Sequence, residues 1–135
     1  PQIEIKTEDT RKILRRDITL QKAVTQWGNV GGLVAGLLKG DYGLISRSLH
    51  DEIIEPIRSV LIPGYEEVKK AALDTGVLGS GISWSGPSVF ALSASQQTAL
   101  EAGDAMKQAF DTIGLDNDVY ISAINKQGPR IVFEQ

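Results

Sequence analysis

The chain of 135 residues contains no cysteine, so it has neither a disulfide framework nor a thiolate metal site. That fits a reducing compartment such as the cytoplasm. A single histidine, His50, rules out a multi-histidine metal centre within these residues. An excess of positive charge is missing too. The formal charge is -3 and the isoelectric point is near 5.1, which gives no support for nucleic acid or an anionic membrane as partner. No apolar run approaches the length a membrane span requires. The first residue is Pro1, with no Met and no signal-like region, and Ile3-Glu4-Ile5-Lys6 already alternates like a strand. An abrupt start in a regular element suggests a piece of something longer.

What remains is ordinary for one globular domain: 41% hydrophobic and 23% charged residues. Against that background, residues 79–88 stand out, reading Gly-Ser-Gly-Ile-Ser-Trp-Ser-Gly-Pro-Ser. With few Cβ atoms in the way, such a backbone can approach a ligand closely, and its amides can form an anion-binding concavity. A serine-rich β-turn would read the same way. A Walker loop is excluded, because no Lys followed by Ser or Thr comes after Gly86. A dinucleotide fingerprint is excluded as well: Gly79 and Gly81 fit, but Trp84 takes the third glycine's place and a strand follows.

Hydrophobic spacing predicts a strand over 2–6, then a short helix through Arg11 and Leu14 opened by Thr7 and its acids. The longest helix is expected from Ile18 to Leu38. Leu20, Val24, Trp27, Val30 and Val34 make its apolar stripe, and Trp27 is placed in the core. Gly40-Asp41 punctuates the chain before a third helix carrying Leu44, Ile45, Leu49 and Ile53. Pro56 and Pro63 require a bend between 55 and 64. A helix over 65–73 ends near Gly76. Strands at 77–83 and 88–92 flank the small-residue loop, and Ser93 with Gln96 reads as a capping box for a helix closed by Gly114. Val119 to Ile124 and Arg130 to Phe133 read as further strands. The order implies an α+β fold: a ferredoxin-like antiparallel sheet with helices on one face and extra helices in the first crossover.

These residues also carry a family resemblance that covers essentially the whole chain. The segment GSGISWSGPSVFAL, Gly79 to Leu92, resembles the C-terminal glycine-rich motif of the GHMP small-molecule kinases, and within that superfamily it is most similar to the homoserine kinase branch. Thr10-Arg11-Lys12-Ile13-Leu14 resembles the family's arginine-bearing helix start. Glu55-Pro56-Ile57-Arg58 followed by Leu61-Ile62-Pro63-Gly64 resembles its Glu-Pro-x-Arg and Leu-x-Pro-Gly segments. Asn29, in Trp27-Gly28-Asn29, falls in its central helix.

The resemblance implies ATP-dependent phosphorylation of the L-homoserine hydroxyl, with Mg2+, in threonine biosynthesis. It also implies that the nucleotide-binding N-terminal domain, with its Pro-x-x-x-Gly-Leu-Gly-Ser-Ser motif, is the natural partner. That motif is absent between Pro1 and Gln135, so these residues alone are expected to be inactive. Arg11 and Arg58 become candidates to clamp the amino-acid carboxylate, since a guanidinium fits it bidentately. Each could instead pair with a local acid, Glu8 or Glu55. Gly79, Ser80, Gly81 and Gly86 would approach substrate and phosphate through main chain, with Ser83, Trp84 and Ser85 beside the substrate. Two departures stand out: Trp84 occupies a family glycine, and Arg15-Arg16 replaces Leu-Pro. Other readings of the same residues are an amino-acid-sensing regulatory domain, a different GHMP kinase, or a module that homodimerises through its sheet or the Trp27 helix. His50 reads as a helix-surface residue.

Overall fold

The computed structural model describes residues 1–14, 17–83 and 86–129. Trp84, Ser85, Arg15, Arg16 and the expected last strand at 130–133 lie outside the described residues. Helix α1 spans Thr7–Lys12, and α2 spans Leu20–Lys39. Thr19 opens α2 by accepting a hydrogen bond from the Lys22 amide at 3.3 Å, and Gly40 closes it in the left-handed conformation at φ 67°. Asp41 then caps α3, Tyr42–Ser48, accepting from the Leu44 amide at 2.9 Å.

The glycines inside α2 explain how these two helices meet. A Cβ on Gly36 would stand 2.9 Å from Ile45 Cγ1, and one on Gly32 would stand 3.2 Å from Ser48 Cβ. The glycine edge therefore faces α3, and the apolar stripe turns outward. Trp27 is 66% exposed, with Val24, Val34 and Leu38 also exposed, so Trp27 is not a core residue.

The proline-bearing stretch is bent as expected. Asp51 Oδ1 accepts the amides of Ile53 and Ile54 at 2.8 Å each and starts α4, Glu55–Arg58, where Pro56 falls in the first turn and gives up no helical donor. A single 3-10 turn, Ser59–Leu61, and Gly64 lead into α5, Tyr65–Asp74. Strands β1, Gly79–Ile82, and β2, Val89–Leu92, form an antiparallel hairpin with Gly79 opposite Leu92 and Ile82 opposite Val89. Helix α6 spans Gln96–Thr112. Its cap is Ser95 rather than Ser93. Ser95 is the extended residue, and its hydroxyl accepts from the Thr98 amide at 3.1 Å.

Helices α5 and α6 pack together and against one face of the hairpin. Ile62, Tyr65, Val68 and Phe110 form one buried cluster, joined by Ile5, Ile82, Val89 and Met106; Ala72, Val77 and Ala102 form another. The α+β class is as expected, but among the described residues the sheet has two strands. Residues 2–6 and 119–124 join no ladder. The Gln2 amide donates to the Asp116 carbonyl, just before the second of these stretches, and Tyr120 is 90% exposed. Alternating side chains alone do not make a strand; the backbone groups need a neighbouring edge.

Candidate functional site

A cavity of about 190 Å³ opens where α2 and the α3–α4 connection face the hairpin and α4. It is smaller than the roughly 300 Å³ at which clefts for drug-sized ligands begin. Arg58 and Glu55 reach it from α4, Ser80, Gly81 and Ile82 from β1, and Asn29 from α2. Arg58 and the start of the glycine-rich segment therefore share one concavity. Arg11 sits exposed on α1 and is not among the residues lining that cavity.

The polar rim is held by side chain to main chain bonds. Asn29 Nδ2 donates to the His50 carbonyl at 3.0 Å, and Gln26 Oε1 accepts the Glu52 amide at 2.9 Å. These bonds fasten the α3–α4 connection to α2. His50 lines the cavity, with its Nε2 3.1 Å from Glu52 Oε1. Nothing in the local sequence around His50 signals a bond from a helix twenty-one residues earlier.

The small residues of β1 turn out to make room for the protein's own side chains. A Cβ on Gly79 would come 2.6 Å from Leu49 Cδ2, and one on Gly81 would come 2.9 Å from Glu55 Oε2. Ser80 is buried, and its hydroxyl donates to the Phe90 carbonyl at 2.8 Å. Further along, the Ser83 amide donates to the Ser88 carbonyl at 2.8 Å, and the Gly86 amide donates to the Ser83 carbonyl at 3.0 Å. Gly86 holds φ 82°, a conformation that favours glycine, while the exposed Ser83 tops the turn.

Beneath Gly81 lies an arrangement that sequence reading missed. Glu55 forms an ion pair with Lys69 of α5, their side chains only 13% and 15% exposed. Lys69 Nζ also sits 6.0 Å from the centroid of the Tyr65 ring. Burial, reinforced by the Glu55 charge, pushes the Tyr65 phenol above its ordinary pKa. The two ends of the pair are fourteen residues apart on different helices, so no local spacing could announce it. Because the folded-state value is raised, the phenol resists ionisation that the unfolded chain permits near pH 10, and stability falls as pH rises through that region. Tyr65→Phe is expected to flatten this alkaline decline, read as Tm against pH from 8 to 11. An identical decline in the variant would show that other groups cause it.

Among the described residues, no group of three or more His, Cys, Asp or Glu is placed to hold a metal ion, and no helix is long and apolar enough to cross a membrane. A family model described as GHMP kinases C terminal matches residues 33–112. A protein named homoserine kinase from Chlorobium phaeobacteroides is 50% identical over 134 residues, covering 98% of this chain and 42% of its own length. One of the same name from Chlorobaculum tepidum is 52% identical, with 98% and 41% covered. The crystal structure of homoserine kinase from Cytophaga hutchinsonii superposes with a TM-score of 0.95 at 59% identity, over 98% of this chain and 42% of that one. The chain thus spans well under half the length of the relatives it matches. A glycine-bearing strand packed over a Glu-Pro-x-Arg helix, together with a family model matching more than half of the residues, gives the assignment: this chain belongs to the GHMP kinase C-terminal family.

Proposed function

We propose that this chain is the acceptor-side part of a homoserine kinase, which transfers the γ-phosphoryl group of ATP to the hydroxyl of L-homoserine. The reading is carried by one juxtaposition, Arg58 and the Gly81 region of β1 on a single small cavity, in a chain whose relatives bear that name. The Arg58 guanidinium offers paired donors to the amino-acid carboxylate, and Arg11 is its proposed second clamp. With the carboxylate fixed, the side-chain hydroxyl is directed toward the glycine-rich segment that follows β1, where it would meet the incoming phosphate. Phosphoryl transfer depends mainly on such positioning and on charge stabilisation.

ATP and Mg2+ are assigned to the N-terminal domain of the full-length protein, and residues 1–135 alone are expected not to turn over. In that protein the hairpin would supply two strands of a ferredoxin-like sheet. The direct test is phosphorus NMR of the full-length protein with ATP and homoserine. O-phosphohomoserine supports the assignment; ATP hydrolysis with no phosphorylated amino acid overturns it.

Ser85 and Trp84 complete the proposed substrate surface. An indole at a position that is glycine in the family would take up volume that the acceptor needs, and would strain the backbone if φ there is positive. Trp84→Gly in the full-length protein is therefore expected to raise kcat/KM for homoserine. Equal kcat/KM in both forms would remove Trp84 from the site.

A further inference from the structure

Among the described residues, nothing covers the outward side of α2. Leu20, Val24, Trp27, Gly31, Val34 and Leu38 follow one another at alternating steps of four and three, the repeat of a coiled-coil seam. All six are exposed, and the five with apolar side chains are each more than half exposed. Helical geometry puts them on the side away from Gly32 and Gly36, which meet α3. The charged residue between Leu20 and Leu38 is Lys22, which projects from the opposite side. The seam can therefore be covered without burying a charge.

Gly31 has no purpose within its own chain. A Cβ there would meet nothing within 4 Å, whereas Gly32 and Gly36 make room for α3. A glycine inside a helix weakens it relative to alanine, so this one calls for a contact from outside.

The seam is also its own complement. Laid antiparallel on a second copy, it sets Leu20 against Leu38, Val24 against Val34 and Trp27 against Gly31. The largest side chain then falls on the position that has none, as interdigitating layers require. A parallel pair would instead stack indole on indole and leave a gap at Gly31. Antiparallel helices also oppose their dipoles favourably.

We infer that α2 packs antiparallel on α2 of a second copy, about a twofold axis level with residue 29, with Trp27 seated over the partner's Gly31. A closed twofold contact of this kind uses the same patch on both chains. The seam with Val30 and Leu37, also more than half exposed, presents apolar surface comparable to the roughly 800 Å² per partner of a standard interface. The rest of a longer chain is not led to this face. Polypeptide joined at Pro1 enters beside β2 and α6, while α2 packs on α3 and faces the hairpin across the small cavity. The inference does not depend on which acceptor the kinase uses.

Sedimentation equilibrium of the full-length protein and its variants tests the contact. The parent is expected to be a dimer at micromolar concentrations. Gly31→Trp sets indole against indole and is expected to raise the dimer dissociation constant by about tenfold or more, although the space around Gly31 within the chain is open. Val24→Asp, opposite the partner's Val34, is expected to weaken the dimer at least as much. The exchange of Trp27→Gly together with Gly31→Trp restores one indole to each gap, and should return the constant to within about threefold of the parent. Unchanged far-ultraviolet circular dichroism identifies variants that fold as the parent does. A monomeric parent overturns the inference, and so does a dimer that Gly31→Trp and Val24→Asp leave as tight as before. A dimer weakened by both but not recovered by the exchange overturns it too, because Trp27 then does not sit on the partner's Gly31.

Discussion

Replacing Arg58 with alanine in the full-length protein is expected to raise the KM for homoserine by on the order of a hundredfold, while the KM for ATP moves by less than about threefold. The size follows from the bonds removed: each hydrogen bond to a charged group contributes about 1.5–3 kcal/mol, and a bidentate clamp makes two. The asymmetry follows from location, because Arg58 lines the small cavity beside Gly81 and the nucleotide is assigned to another domain. Arg58→Lys should recover only part of the loss, since an ammonium carries the charge without the planar fork. Steady-state kinetics with each substrate varied in turn decides the matter. A homoserine KM unchanged in Arg58→Ala would take this residue out of acceptor binding.

The largest stability effect is expected from Lys69→Ala. The variant leaves the Glu55 carboxylate, only 13% exposed, wedged between Gly81 and α5 without its cation. Removing one partner of a buried pair costs about 3–5 kcal/mol. For a domain of this size that corresponds to a fall in Tm of roughly 10–20 °C. The double variant Glu55→Gln, Lys69→Met should regain much of it, since no uncompensated charge remains. Calorimetry of the full-length protein measures both. A Tm for Lys69→Ala within about 2 °C of the parent would show that the pair is not a structural support.

The helices were legible because their signals are local. Gly40 and Asp41 announce ends within a few residues of where they act, and Pro56 with Pro63 could only bend the chain. Ser93 misled because both it and Ser95 precede a suitable residue three positions on, and backbone conformation chose between them. Trp27 misled for a different reason. Periodicity reveals that a helix has an apolar face, but the contact with α3 goes through Gly32 and Gly36, which carry no hydrophobic signal.

The site divides along the same line. Arg58 and the glycines were visible as residue types in a recognisable order. That Gly79 and Gly81 accommodate Leu49 and a carboxylate was not, because both contacts join segments at least twenty-six residues apart. The Glu55–Lys69 pair stayed hidden for the same reason. Residues 2–6 and 119–124 carry the alternation of strands, but a ladder depends on what lies alongside, which no single segment encodes.

The glycine contact between α2 and α3 has a mechanical consequence. With backbone against side chain and no compressible layer between them, the two helices have little freedom to slide over one another. Asn29 and Gln26 extend that stiffness to the loop around His50. Force applied to the outer surface of α2 is therefore delivered to the polar rim of the cavity at His50 instead of being absorbed on the way.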